Sequence, residues 1–237
     1  MTEQTVFAKR EASLRYWLHG RGYHDALRAL DLMKLIHRGT RKDGTTPESD
    51  HQIEMALHAS RLPGVRDMER LIIVILLHDT VEDYALSEQT IALLFGNVVS
   101  EAVACVTKKM PVLQGGVEID ISYLSKDGSH LVIRLDGTKV GAIEYDEDEL
   151  FIRMGLNPLA SLAKAIDRCN NQRTMGGVFS REKQLSYVDF TDARILPMLK
   201  LARRRFPDQE AAYELLKHML TTQARLVRSW ATMLQAA

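Results

Sequence analysis

The chain has 237 residues, long enough for a sizeable core in one large domain or two small ones, and 46% hydrophobic with 26% charged residues is an ordinary globular composition. Its 31 Lys and Arg balance 31 Asp and Glu, so no global field recruits nucleic acid or a membrane surface, and an anionic ligand must be met by a local basic cluster. The two cysteines, Cys105 and Cys169, lack CxxC spacing, which speaks against a disulfide framework or a zinc ribbon and suits a reducing cytoplasm. The first residues show no basic region followed by an apolar run, so no secretory leader is expected.

Apolar positions at helical spacing predict helices over 5–19 and 24–37, the second carrying Ala26, Leu27, Leu30, Met33, Leu35 and Ile36. The polar segment 40–50, punctuated by Asp43-Gly44 and Pro47, reads as a loop that delivers His51 to the start of a helix over 51–61, with Ser49 or Asp50 as its N-cap. Asp67 is placed to cap a central helix over about 68–79. Helices follow over 87–94 and 97–108. From Val117 the period changes to two, predicting strands at 117–123, 130–135 and 140–145, with turns at Lys126-Asp127-Gly128-Ser129 and Asp136-Gly137. This is read as a three-stranded antiparallel meander inserted at about 112–146. Helix resumes after the acidic run at 146–149, is interrupted near Asn157-Pro158, continues over 159–170, and closes with amphipathic helices over 181–204 and 208–235. The expected fold class is mainly α, one domain over 1–237 with a small antiparallel β insertion.

The central helix carries the densest chemistry. Residues 71–77 are seven consecutive apolar side chains, too few for a bilayer, which needs about 20, and an element apolar on all sides is buried on all sides. The run ends directly in His78-Asp79, and Glu82-Asp83 follows one helical turn later. Unpaired polar groups at that depth cost several kcal/mol. A divalent metal would compensate them, because imidazole and carboxylate are both ligands of Mn, Fe or Zn. The simpler alternative is a buried helix whose polar end reaches water. His51 and Asp167, which interrupts an apolar helical stripe, would complete a set of two His and two Asp suited to Mn or Fe, although each alone reads as a cap or a solvated group.

The blocks His37-Arg38-Gly39-Thr40-Arg41-Lys42-Asp43-Gly44, Leu76-Leu77-His78-Asp79-Thr80-Val81-Glu82-Asp83, Phe95-Gly96 before Val106-Thr107-Lys108, and Lys164-Ala165-Ile166-Asp167-Arg168 with Asn171 and Thr174 occur in a telling order. It is the order seen in the hydrolase domain of RelA/SpoT-type alarmone enzymes. The chain resembles a stand-alone small alarmone hydrolase of the HD superfamily over roughly 24–109 and 149–176. The resemblance implies an all-helical, metal-dependent fold that removes the 3'-pyrophosphate of (p)ppGpp, usually with Mn2+. It implies His51, His78, Asp79 and Asp167 as metal ligands, and Glu82 and Asp83 as the pair that orients and deprotonates water. Arg41, Lys42, Lys164, Asn171 and Thr174 match positions around the nucleotide.

Physical chemistry agrees with these roles: a divalent ion lowers the pKa of water and neutralises phosphoryl charge, a carboxylate takes the proton, and a guanidinium forks onto phosphate or stacks on a base. The chain departs from the family pattern in two places. Gly44-Thr45-Thr46-Pro47-Glu48-Ser49-Asp50-His51-Gln52 is one residue longer and lacks the family's Tyr and second Pro, and Asn170-Asn171 stands where the family has His-Asn. The altered loop admits another nucleotide, such as (p)ppApp or NADPH. The alternative of another class is a non-catalytic module that binds an alarmone, or a partner or second copy through the β insertion, whose strand edge is a natural docking surface.

Overall fold

The computed structural model describes residues 3–41 and 44–233. In chain order the helices are α1 (Glu3–Arg21), α2 (His24–Ile36), α3 (Glu48–Ala59), α4 (Met68–Leu77), α5 (Thr80–Tyr84), α6 (Glu88–Phe95) and α7 (Asn97–Val106). The strands β1 (Lys109–Gln114), β2 (Val117–Asp120), β3 (Val132–Leu135) and β4 (Thr138–Glu144) follow. The chain then returns to helix with α8 (Glu147–Gly155), α9 (Pro158–Thr174), α10 (Arg181–Phe190), α11 (Leu196–Arg205) and α12 (Glu210–Met233), a π turn over Thr191–Ile195 joining α10 to α11. The expected mainly α class with an antiparallel insertion is what the chain adopts.

Helix α4 is the axis of the molecule. Every residue from 71 to 77 is buried, and α2, α3, α7 and α9 pack around it. Helix α9 runs beside it, opened by Asn157, whose side chain accepts the Leu159 and Ala160 amides, and by Pro158 in the first turn, where the missing N–H costs nothing. The residues of α9 from Leu159 to Asn170 are all buried, polar ones included, so Lys164, Asp167, Arg168 and Asn170 must find partners inside. No helix among the described residues is long and apolar enough to cross a membrane. Both cysteines are free thiols.

Three local expectations are corrected. Helix α3 starts at Glu48 rather than at residue 51, with Pro47 before it and no side-chain cap, because Asp50 turns inward to Arg10 at 2.6 Å. His51 therefore lies on the first turn, not at the cap. Helix α4 ends at Leu77 rather than at 79: the His78 ring takes the Ile75 carbonyl at 2.8 Å and the Thr80 hydroxyl takes that of Leu77 at 2.7 Å. These side chains satisfy the terminal carbonyls before α5 begins.

The third correction concerns the strands. They do not form a three-stranded meander but one long hairpin of two nested ladders, β1 with β4 and β2 with β3. Gly115-Gly116 lies across from Asp136-Gly137, between the two ladders. Gly115, Gly116 and Asp136 all have positive φ, and a Cβ on Gly116 would come within 2.6 Å of the Leu135 carbonyl oxygen. Asp136-Gly137 is thus a crook in the hairpin, not its turn. The tip folds back onto the helices: Ile121, Leu124, Leu131, Ile133 and Leu135 join the main core.

Candidate active site

The C-terminal end of α4, the first turn of α3, the middle of α9 and the short α5 meet at one cleft of about 310 Å³. It holds His51, His78, Asp79, Glu82, Asp83, Lys164, Asp167, Asn171 and Arg41. The fold thus brings together nine of the eleven residues singled out in the sequence. Thr174 lines an adjoining outer cleft of about 480 Å³ that shares Arg41, Glu48 and Asn171 with the first. Lys42 lies outside the described residues.

The two imidazoles and Asp79 offer donor atoms within 4.8 Å of one another. Each ring is held from behind. The Nδ1 of His78 faces the Ile75 carbonyl at 2.8 Å, and the Nδ1 of His51 faces the side-chain oxygen of Asn170 at 2.9 Å. Both Nε2 atoms meet carboxylates, His78 with Asp79 at 3.0 Å and His51 with Asp167 at 3.3 Å. Asp167 also takes Lys164 Nζ at 2.8 Å and Asn171 Nδ2 at 2.5 Å. Rings anchored through one nitrogen and turned toward carboxylates through the other have the usual arrangement of metal-binding histidines. The donor set fits a divalent ion that prefers mixed nitrogen and oxygen ligands.

Burial and charge compete in this cleft. Burial opposes a proton on His78, but the Asp79 carboxylate beside it prevails and raises its pKa to about 9. Asp79 feels the reverse: burial pushes it up, His78 pulls it down, and it settles at about 2. Against the same burial, Lys164 holds the Asp167 carboxyl well below the usual carboxylate range, and Asp167 keeps Lys164 charged. Repulsion from Lys164, followed by burial, lowers the pKa of Lys108.

Glu82 points inward and accepts the Lys108 backbone amide at 3.2 Å. Asp83 stands at the exposed rim, 3.5 Å from Lys139 of β4, so the end of the β1–β4 ladder next to the crook borders the cleft. The loop between α2 and α3 folds back on itself, with the Arg41 amide bonded to the Thr46 carbonyl at 2.7 Å and Gly44 at positive φ, and this carries Arg41 to the cleft edge. The Thr174 hydroxyl is turned back onto the Asn170 carbonyl at 3.1 Å.

Sequence reasoning did not single out His37, Glu48, Gln52, Lys108, Arg168 and Tyr187, which also line the cleft. Arg168 is buried, with its guanidinium 3.9 Å from the centre of the Tyr187 ring. Lys108 and Arg168 each close a block quoted from the sequence and could have been singled out there. Tyr187 on α10 has no such signal. Buried cations beside buried carboxylates suit a site for a divalent ion and a phosphate ester together.

No family model matches the chain, and no curated protein matches it. Among solved structures, it is similar to a metazoan ortholog of SpoT, a protein described as hydrolysing ppGpp and playing a role in starvation responses. The identity is 20%, the TM-score 0.51, and the match covers 85% of this chain and 94% of that one. The chain shares that protein's helical fold.

Proposed function

We propose that this protein is a Mn2+-dependent hydrolase that removes the 3'-pyrophosphate of (p)ppGpp, releasing pyrophosphate and GDP or GTP. The observation that carries the reading is the convergence of His51, His78 and Asp79 donors within 4.8 Å of one another, with Asp167 and Glu82 in the same cleft. The shared fold with a SpoT ortholog and the order of the sequence blocks support it.

In this reading His51, His78, Asp79 and Asp167 hold the ion. When bound, the ion supplies a lowered water pKa and neutralises charge on phosphoryl oxygens. Glu82, fixed by the Lys108 amide, takes a proton from the attacking water, and Asp83 at the rim helps to orient it. The water oxygen bonds to the phosphorus that carries the ribose 3'-oxygen. The bond from that phosphorus to the 3'-oxygen breaks, and the sugar oxygen leaves with a proton. Lys164 and Asn171 bind the pyrophosphate oxygens, and Lys108 and Arg168 add positive charge from the cleft wall. Arg41 and Thr174 hold the nucleotide in the outer cleft, whose Phe7 and Phe179 offer apolar walls to a purine.

The test is to incubate purified protein with ppGpp, ppApp and NADPH in parallel, with Mn2+ and then with EDTA. Pyrophosphate release from ppGpp with Mn2+, lost in EDTA, is expected. Release from ppApp alone, phosphate from NADPH alone, or no release from any of them with metal bound, overturns the assignment.

A further inference from the structure

The two imidazoles in the cleft are anchored differently. His78 rests on a backbone carbonyl, which cannot reverse its polarity, whereas His51 rests on the side-chain amide of Asn170, which can turn over and present a donor instead. The other end of that amide decides which way it points. Asn170 is buried on α9, and its Nδ2 lies 3.1 Å from the Glu54 carboxylate on α3. Glu54 is gripped by Arg10 of α1 at 2.7 Å and by Arg173 at 2.5 Å. An ionised carboxylate only accepts, so the end of Asn170 facing it must be the NH2, and the end facing His51 must be the oxygen. The His51 Nδ1 must then carry a proton, which directs the lone pair of the neutral ring to Nε2, on the cleft side.

We propose that Asn170, locked by the Arg10–Glu54–Arg173 cluster, is a positioning residue that sets the tautomer of His51 and so prepares its Nε2 for a divalent ion. The proposal rests on the reading of His51 as a metal-facing ring, and gives Glu54 and Asn170, neither of which lines the inner cleft, a part in preparing it. The departure from the family's His at this position is chemically conservative, because a neutral imidazole also offers one acceptor and one donor.

The experiment uses the full chain labelled with 15N-histidine, with the His51 signals assigned by their loss in His51→Gln. Spectra are recorded metal-free and with diamagnetic Zn2+, and Mn2+ affinity is measured by titration. In the wild type a His51 Nδ1–H protected from water exchange is expected in both states. Asn170→Leu should lose that protection and bind Mn2+ about 10- to 100-fold more weakly. Glu54→Gln, which frees the amide to turn, should do so in part, and Asn170→His should restore both properties. A wild-type ring protonated only at Nε2 overturns the proposal. So does a folded Asn170→Leu, with unchanged circular dichroism, that keeps the protected proton and wild-type affinity. If Asn170→Leu does not fold, the wild-type spectrum and Glu54→Gln decide. A wild type that binds no Mn2+ would end the metal reading itself, while the ring proton still reports on the lock.

Discussion

Lys164 and Asp167 form a buried pair one turn apart on α9, and under the proposed metal site that pair should respond to the ion. Removing one member of such a pair leaves an uncompensated charge and costs about 3–5 kcal/mol. Lys164→Met should therefore lower stability by about 3 kcal/mol in EDTA, measured by urea unfolding. With saturating Mn2+ the loss should be smaller, since in the proposed site the ion then stands in for the missing ammonium beside Asp167. Equal losses in both conditions would place the ion elsewhere. At this scale much of the candidate cleft was legible, because His78-Asp79 follows seven apolar residues and Asp167 interrupts an apolar stripe, and a buried charge in such a setting signals a partner. Tyr187 was not, because a ring that meets a cation from another helix leaves no spacing in the sequence.

At the scale of elements, three strands of the hairpin were found by their period of two but mispaired, and β1 was missed. Strand alternation says which face a residue occupies, not which strand it meets, and Asp136-Gly137 has the same composition as a crook or as a turn. Arg28 of α2 ties the tip down: it donates to the Leu124 carbonyl at 2.9 Å and the Leu94 carbonyl at 3.2 Å, and pairs with Asp25 at 2.7 Å. Hydrogen bonds from charged groups contribute about 1.5–3 kcal/mol, so Arg28→Ala should cost about 2 kcal/mol and speed amide exchange in 121–125. Unchanged exchange there would mean that apolar packing alone holds the tip. The same tie has a pH signature. Burial raises the pKa of Asp25, but Lys126 and Arg28 outweigh it and hold it below its ordinary value. A carboxyl depressed on folding stabilises above its unfolded pKa of about 4 and loses that contribution as pH falls further. Urea unfolding between neutral pH and pH of about 3 should thus fall more steeply for the wild type than for Asp25→Asn; parallel curves would remove Asp25 from the tie.

For the molecule as a whole, helical periodicity placed the body correctly because the stripes of α2, α4 and α9 are long and their burial nearly complete. What periodicity could not supply was the convergence of α3, α4, α5 and α9 at one cleft, which arises only when α4 is wrapped. If that cleft holds an ion in the native state, Mn2+ at 100 times its dissociation constant should raise unfolding free energy by about 2.7 kcal/mol. A flat thermal midpoint across a Mn2+ titration would argue that the ion does not bind the folded chain. The most direct test of the account compares pyrophosphate release from ppGpp by the wild type and by Glu82→Gln/Asp83→Asn, with bound Mn2+ measured in both. Equal Mn2+ content with turnover reduced at least about 100-fold in the variant, and abolished by EDTA in the wild type, is the predicted result. A metal-loaded variant that turns over like the wild type, or a metal-loaded wild type that releases nothing, would contradict it.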